Sequence, residues 1–492
     1  MEERTSHRRR VVVVGGGVSG LAAAHRLFEL QAQAGDAPPV EALLLEASGR
    51  LGGTVRTERR DGFLLEGGPD SFISEKPAAL ELARRLGLGD RVVETNAEHR
   101  RSFVVVGGRL RPTPEGFHLL APARLWPFLT TGIFTWRGKA RMALDLVLPR
   151  RRPAGEEDES LARFVRRRLG REALERMAQP MVGGIYTADP EHLSLRATMP
   201  RFLDMEREHR SLILALMRNA RRQGARQNGA SGARYGLFLS FDEGMQVLTD
   251  ALAARLPGGS VRLRTRVEEV VFERGARRWL LRTGAGETFD ADAVCLALPA
   301  YAAARLIRGA DESLAAELDA IPYASTATVN LAYRRASIPH PLDGFGFVVP
   351  FAERRAALAC TFSSVKFPSR APAGRALLRA FVGGALQPEM FELGEGEMVE
   401  AVRRDLRDLL GVAAAPLFSH VERWPRSMAQ YHVGHLKRLA RIAERLGGLP
   451  GLRLCGNAYT GAGVPDCVRG GEEAAASILT EFGRPSRQRS NQ

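Results

Sequence analysis

The chain has 492 residues and very little cysteine: Cys295, Cys360, Cys455 and Cys467 are the whole set. None sits in a C-x-x-C pair or in a Cys/His cluster of zinc spacing, so neither a disulfide framework nor a structural metal is expected. That usage fits a reducing, cytoplasmic setting. Long apolar runs are also missing. No stretch approaches the roughly 18 uncharged apolar residues of a spanning helix, which excludes an integral membrane protein. The basic start meets only Val11–Val14 before glycines interrupt it, so no secretory signal is expected. Lysine is scarce: only Lys76, Lys139, Lys366 and Lys437 among 71 basic residues, against 56 acidic ones and a formal charge of +15. The arginines are spread along the chain and mixed with acids. That pattern reads as a solvated surface rather than a nucleic-acid footprint, with an anionic membrane face as the alternative partner.

What is abundant is apolar residue, 45 % of the chain, enough for a large core and too much for disorder. The length suggests about three folding units, or two with one interrupted. Val11–Val14 reads as a buried parallel strand, Val18 to Leu30 as a helix, and Ala42 to Glu46 as a second strand, together a βαβ unit. Arg56 to Glu66 reads as a hairpin turning at Asp61-Gly62, and Pro77 to Leu86 as a helix. Residues 100–215 read as mostly helical, and 222–234 as a polar glycine-rich linker. Strand signals return at 261–273, 278–283 and 293–298. Residues 320–385 alternate like an antiparallel sheet. A strand over 452–455, a glycine-rich turn and a helix from about Gly470 to Phe482 follow, before a tail at 483–492 expected to be disordered. There is no internal repeat.

The hexapeptide Gly15-Gly16-Gly17-Val18-Ser19-Gly20 fits G-x-G-x-x-G, and its context strengthens it: a strand before, a helix after, and an acid, Glu46, ending the second strand. Gly15 permits the tight turn, Gly17 leaves room for a pyrophosphate, and Gly20 lets the helix approach the strand. The helix N-terminus offers free N–H groups to phosphate, and Glu46 offers acceptors to ribose hydroxyls. The bland reading is a glycine-rich turn beside a surface glutamate. Arg50-Leu51-Gly52-Gly53 follows closely. Such an Arg-x-Gly-Gly loop resembles that of amine-oxidase-like flavoproteins, which favours FAD over NAD. Asp466, near the start of the last helix, reads either as a flavin-side residue or as a plain helix cap. Cys467 reads as packing.

Further motifs extend the resemblance over nearly the full length: Glu66-Gly67-Gly68-Pro69-Asp70-Ser71-Phe72, Gln179 to Tyr186, Leu193-Ser194-Leu195-Arg196, Phe345 to Pro350, Gln430-Tyr431-His432-Val433-Gly434-His435, and Gly456 to Tyr459 with Val464-Pro465-Asp466-Cys467-Val468. With these the chain resembles the flavin-dependent protoporphyrinogen/coproporphyrinogen oxidases of haem synthesis. The resemblance implies a mixed α/β fold: a Rossmann-like FAD-binding domain of GR2 type, an antiparallel-sheet substrate domain and a helical insertion. The implied segments are 1–68, 239–300 and 446–482 for FAD; 69–99 and 301–445 for substrate, with 214–238 as linker and substrate domain; and 100–213 for the helical part, which docks on the bilayer in membrane-bound members. Implied flavin contacts are Gly15, Gly16, Gly17, Val18, Ser19, Gly20, Glu46, Ala47, Arg50, Thr54, Gly68, Pro69, Asp70, Ser71, Val267, Trp424, Val464, Pro465 and Asp466. The porphyrinogen would lie beside Gly184, Ile185, Phe345, Gly346 and Val348. Several members carry a basic residue for a propionate at the position here held by Ser102, which leaves Arg101 as the nearby candidate.

The implied chemistry needs no strong base. Hydride leaves a methylene bridge for flavin N5, the flanking pyrroles stabilise the cation, and a pyrrole N–H releases the proton. Three cycles, each reoxidised by molecular oxygen to hydrogen peroxide, would give the porphyrin. Around Leu119 to Arg141, tryptophans and leucines lie among cations, which reads either as subdomain core or as peripheral contact with the cytoplasmic face of the inner membrane. A homodimer is plausible on the resemblance alone. Competing readings are a flavin amine oxidase, with Lys366 as its water-holding lysine, a carotenoid-type desaturase, and a non-enzymatic FAD-stabilised haem-trafficking or scaffold protein. His432 and His435 read as structural hydrogen-bonding groups rather than metal ligands.

Overall fold

The β-branched run that opens the chain forms the strand Arg9–Val14, and its neighbours make a five-stranded parallel sheet. Across that sheet the order is Val261–Arg262, Val40–Leu45, Arg9–Val14, Ala293–Leu296 and Leu452–Leu454. The computed structural model describes residues 8–33, 40–150, 158–224 and 238–483. The linker expected over 222–234 falls largely outside them, and the tail over 483–492 does so apart from Gly483. Alternate side chains of the parallel strands enter two cores, as a sheet covered on both faces requires. Val11, Val13, Leu44 and Cys295 pack under the helices Val18–Gln33 and Val464–Gly483. Val12, Val14, Leu45 and Leu296 pack on the other side, with Val267, Val270, Trp279 and Leu281 of a three-stranded antiparallel sheet. The last helix begins at Val464, earlier than expected from the sequence, so Val464-Pro465-Asp466 forms its first turn. Proline is tolerated there because the first-turn N–H groups have no helical partner anyway.

A second sheet has seven strands: Phe418–Ala429, Tyr323–Arg334, Arg375–Gly383, Ala359–Phe362, Gly346–Val348, Phe103–Val106 and Arg109–Pro112 in spatial order. The pairings are antiparallel except that of Gly346–Val348 with Phe103–Val106, which is parallel. The structure thus places 103–112, expected to open the helical part, inside the second sheet. The helical part begins after them. Its apolar stretch divides between the two expectations: Leu120, Phe128, Ile133 and Phe134 are core, whereas Trp126 and Trp136 are 75 % and 72 % exposed, beside exposed Leu125 and Leu129. Helix Ala78–Arg85, expected in the substrate domain, buries Ala79, Leu82 and Ala83 in the dinucleotide core, and its Arg85 pairs with Glu29 and Glu472.

The hairpin pairs Thr57–Arg60 with Phe63–Glu66 and turns at Asp61 (φ 49°) and Gly62 (φ 78°), the doubly left-handed turn that matches strand twist. All four cysteines are buried and unbridged; Cys295 Sγ and Cys455 Sγ lie 3.6 Å apart in the parallel sheet. Among the described residues no helix is long and apolar enough to cross a membrane, and no cluster of three or more ligating side chains could hold a metal ion.

Candidate functional site

The glycine loop sits where the first strand hands over to its helix. A Cβ on Gly20 would stand 1.9 Å from Gly15 O, so the turn closes only with glycine there. A Cβ on Gly17, by contrast, would meet nothing nearer than Gly53 Cα at 3.9 Å. The face of Gly17 is therefore open, which is what close approach of a phosphate to backbone N–H groups requires. The Arg-x-Gly-Gly loop closes beside it: Gly52 N–H donates to Gly16 O at 2.8 Å, and Gly17 bridges Gly52.

Glu46 directly follows the second strand, which ends at Leu45, one residue earlier than expected. Its Oε2 accepts from Gly16 N–H at 2.6 Å and its Oε1 from Ser48 N–H at 2.7 Å. Each carboxylate oxygen keeps a further lone pair for a hydroxyl. Arg50 differs from its expected role. Its guanidinium donates to the carbonyls of Leu51 (3.0 Å), Val55 (3.3 Å) and Gly53 within its own loop. It braces the loop first, and its charge reaches the loop's outer face second. Ala47 follows Glu46, whose carbonyl takes Thr265 N–H at 2.8 Å, which brings the start of the strand carrying Val267 alongside.

A second glycine pair fastens the hairpin to this centre. A Cβ on Gly68 would lie 1.8 Å from Thr54 O, so Gly68-Pro69 runs directly over the Arg-x-Gly-Gly loop. The carbonyl of Gly67 accepts from Trp424 Nε1 at 2.9 Å and from Thr328 Oγ1 at 3.1 Å, and Arg379 donates to Gly68 O. Behind them lies a buried charge cluster. Lys366 Nζ is 3.0 Å from both Asp70 oxygens and 2.9 Å from Ser71 Oγ. Burial alone would raise the Asp70 pKa, but Lys366 and Arg379 outweigh it and hold the carboxyl below the usual carboxylate range. Glu66 goes the other way. Burial pushes it up to about 7, against the pull of Arg370 at 3.6 Å and hydrogen bonds from Thr57 and Met245. Sequence reasoning missed Arg370, Arg379 and Asn330. The one available signal was the alternation Thr326, Thr328, Asn330 in a strand whose polar face turns out to be covered.

At the last helix, Asp466 is 4 % exposed and pairs with Lys76 and Arg469. Among the described residues no backbone N–H reaches its carboxylate, so the cap reading fails. Its neighbours Val464 and Cys467 are buried beside it. The histidine motif braces the preceding turn: Tyr431 donates its hydroxyl to Asn457 O, and His435 Nε2 lies 3.1 Å from Ala458 O while its ring stacks on Tyr431 at 4.7 Å. Burial drives the His435 pKa down to about 4.

The expected substrate residues divide. A Cβ on Gly184 would lie 3.9 Å from Val348 Cγ1, so the helix Gln179–Tyr186 and the strand Gly346–Val348 form one wall, tied by Phe351 N–H to Gln179 Oε1 at 2.8 Å. Ile185 is 43 % exposed on that wall, whereas Phe345 is nearly buried. Gly346 has Cys360 O 2.0 Å from where its Cβ would be, so it must be glycine. Arg101 does not stand free: Asp343 takes its charge, and Nε donates to Asp343 O at 2.6 Å. A guanidinium so neutralised is a poor seat for a propionate.

Comparison with known proteins agrees with this architecture. The family model described as "Flavin containing amine oxidoreductase" matches residues 18–479. A coproporphyrinogen III oxidase of Bacillus subtilis (strain 168) is 36 % identical over 96 % of this chain and 98 % of its own. A chloroplastic protoporphyrinogen oxidase of Nicotiana tabacum is 32 % identical over 95 % of this chain and 85 % of its own. A crystal structure from Exiguobacterium sp. 255-15, provisionally named a protoporphyrinogen oxidase, covers 97 % of this chain and 99 % of its own at 33 % identity, with a TM-score of 0.84.

Proposed function

The chain belongs to the flavin-containing amine oxidoreductase family and is an FAD-dependent oxidoreductase, and from that premise we propose that it oxidises a porphyrinogen, protoporphyrinogen IX or coproporphyrinogen III, to the porphyrin. FAD supplies a two-electron acceptor. Molecular oxygen is the terminal acceptor, hydrogen peroxide the by-product, and three turnovers complete the ring.

The chain's own residues bind, orient and exclude water. The open face of Gly17 and the N-terminus of helix Val18–Gln33 receive the pyrophosphate, Glu46 the ribose, and Gly68–Ser71, Trp424 and Val464–Asp466 surround the ring end. The Gly184–Ile185 wall and Val348 offer an apolar surface to a flat macrocycle. No side chain is asked to act as a base, because the pyrrole N–H acidifies as its bridge loses hydride. The exposed face of Leu125, Trp126, Leu129 and Trp136, flanked by exposed Arg124 and Arg137, rests on an anionic bilayer, where an apolar macrocycle partitions.

The observation that carries this over an amine oxidase is Lys366. An ammonium has three donors, and here Asp70 and Ser71 take all of them, leaving none to hold a water. The test offers purified holoprotein both porphyrinogens and a set of primary amines, following porphyrin fluorescence and peroxide. Fluorescence growing with about three peroxides per porphyrin supports the reading. Peroxide from amines alone, or no turnover of either porphyrinogen by yellow protein, overturns it.

A further inference from the structure

A dinucleotide on a parallel sheet lies across the carboxyl ends of the strands, so strand order says which part meets which strand. From the sheet's interior to its edge the order is Arg9–Val14, Val40–Leu45, Val261–Arg262. The glycine turn after the first of these is assigned the pyrophosphate, and Glu46 after the second the ribose. On that order the adenine falls beyond Glu46, at the end of the edge strand Val261–Arg262.

The backbone pairing there outlasts both strands. Glu46 N–H donates to Arg262 O at 2.9 Å, Thr265 N–H to Glu46 O at 2.8 Å, and Arg264 N–H to Ser48 O at 2.9 Å. Arg264 has φ 54°, a left-handed conformation that a residue with a Cβ holds only at a cost in free energy. Its side chain is exposed and lies against the turn that follows Glu46: a Cβ on Gly49 would stand 3.4 Å from Arg264 Nε and 3.8 Å from its Nη2. Glycine at position 49 leaves that space to the guanidinium. Arg50, Arg101 and Arg379 all engage protein groups. Arg262, at the same strand end, pairs with Glu287 at 2.8 Å. Among the described residues no carboxylate pairs with Arg264. A planar cation thus stands at the adenosine end, on a strained backbone, without an acidic partner.

We propose that Arg264 clamps the adenine of FAD, its guanidinium lying flat on one face of the base. The inference rests on the proposed placement of the dinucleotide, with pyrophosphate at Gly17 and ribose at Glu46. A guanidinium is planar, delocalised and weakly hydrated, so it stacks on an aromatic face at little desolvation cost. A lysine ammonium brings the same charge without the plane. The contact is non-covalent and lies at the far end of the cofactor from the reacting ring. It therefore sets how tightly the dinucleotide is held, and its preference over a flavin mononucleotide, rather than the rate of hydride transfer. Arg264 is a positioning and specificity residue.

Flavin-stripped wild type, Arg264→Gly and Arg264→Lys test this, each titrated with FAD, FMN and ADP and each melted without ligand. Glycine accepts this φ without strain, so stripped Arg264→Gly is expected to melt no lower than wild type. Its affinity for FAD and for ADP falls about tenfold, within the range of one stacked base. FMN, which has no adenine, binds Arg264→Gly as it binds wild type. Arg264→Lys recovers little of the loss. Unchanged FAD affinity in Arg264→Gly overturns the proposal. So does full recovery in Arg264→Lys, the mark of charge alone, and so does an equal loss for FMN, the mark of a disturbed fold. Should Arg264→Gly fail to fold, Arg264→Asn decides by the same titrations, since asparagine also tolerates the left-handed region. Stripped wild type that takes FMN as tightly as FAD sinks the dinucleotide placement, and the clamp with it, which is a different failure.

Discussion

Lys366 and Asp70, 296 residues apart in sequence, meet with Nζ 3.0 Å from each carboxylate oxygen, both side chains largely shielded from water. The pair fixes the loop after Gly68-Pro69 against the seven-stranded sheet. Breaking one half of a shielded pair leaves the other charge stranded. Lys366→Met is therefore expected to destabilise the protein by about 3 kcal/mol and to loosen flavin binding. Lys366→Arg should recover part of each. Denaturant unfolding with flavin fluorescence checks both, and a Lys366→Met protein as stable as wild type would show the pair to be incidental.

Two glycines of the proposed pyrophosphate site separate folding from binding. Gly17→Ala adds a methyl where nothing stands within 3.9 Å, so the stripped protein should unfold within about 0.5 kcal/mol of wild type, yet purify with little flavin. Gly68→Ala forces a methyl to 1.8 Å from Thr54 O, so the backbone must move and both properties should suffer. Absorbance at the flavin band per protein, alongside unfolding midpoints, distinguishes them. Equal behaviour of the two variants would contradict the geometry.

The pH response contains two opposed contributions. His435, pushed down to about 4, stays neutral in the folded chain while the unfolded histidine takes a proton near 6.5. Its contribution to stability is intact above about pH 6.5 and is lost as pH falls toward 4, by about 3 kcal/mol in all. Glu66, raised to about 7, holds its proton in the folded chain between about 4.5 and 7 while the unfolded glutamate releases it. Its contribution is present below about 4.5 and is lost as pH rises through 7. Unfolding free energies from pH 4 to 8 should therefore rise less steeply with pH between about 4 and 6.5 in His435→Gln, and more steeply between about 4.5 and 7 in Glu66→Gln, than in wild type. Variants with wild-type profiles would refute the corresponding contribution.

The exposed tryptophans predict an interfacial contact. Trp126→Ser with Trp136→Ser should lower co-sedimentation with anionic phosphatidylglycerol vesicles several-fold, while the unfolding midpoint stays near wild type because both rings are already in water. Wild-type protein that ignores such vesicles at low salt would reject the contact.

The dinucleotide half was readable from sequence because its signals are local: a β-branched run, a glycine turn, a helix period and an acid at a strand end. The hairpin turn at Asp61-Gly62 was readable for the same reason, since only a few residue types tolerate two left-handed positions. The charge cluster was not. Glu66, Asp70, Lys366, Arg370 and Arg379 come from three separate stretches, and their meeting depends on strand order, which no local pattern encodes. The ion pair of Arg101 was hidden for a related reason. Its charge was plain, but Asp343, the partner that neutralises it, lies 242 residues away. Phe103–Val106 was assigned to the helical part because prolines and arginines dominate its surroundings, whereas its pairing with Gly346–Val348 is set by a residue stretch far down the chain.

Helix Val464–Gly483 packs so closely on helix Val18–Gln33 that a Cβ on Gly471 would fall 2.2 Å from Ser19 O. The glycine turn and the helix that covers it thus come from segments far apart in sequence. During translation the amino-terminal part of this unit must wait, sheet edge unpaired and one flank bare, until residues 464–483 have been made. A ribosome-stalled fragment ending near residue 450 would expose that flank to chaperones and should emerge without colour.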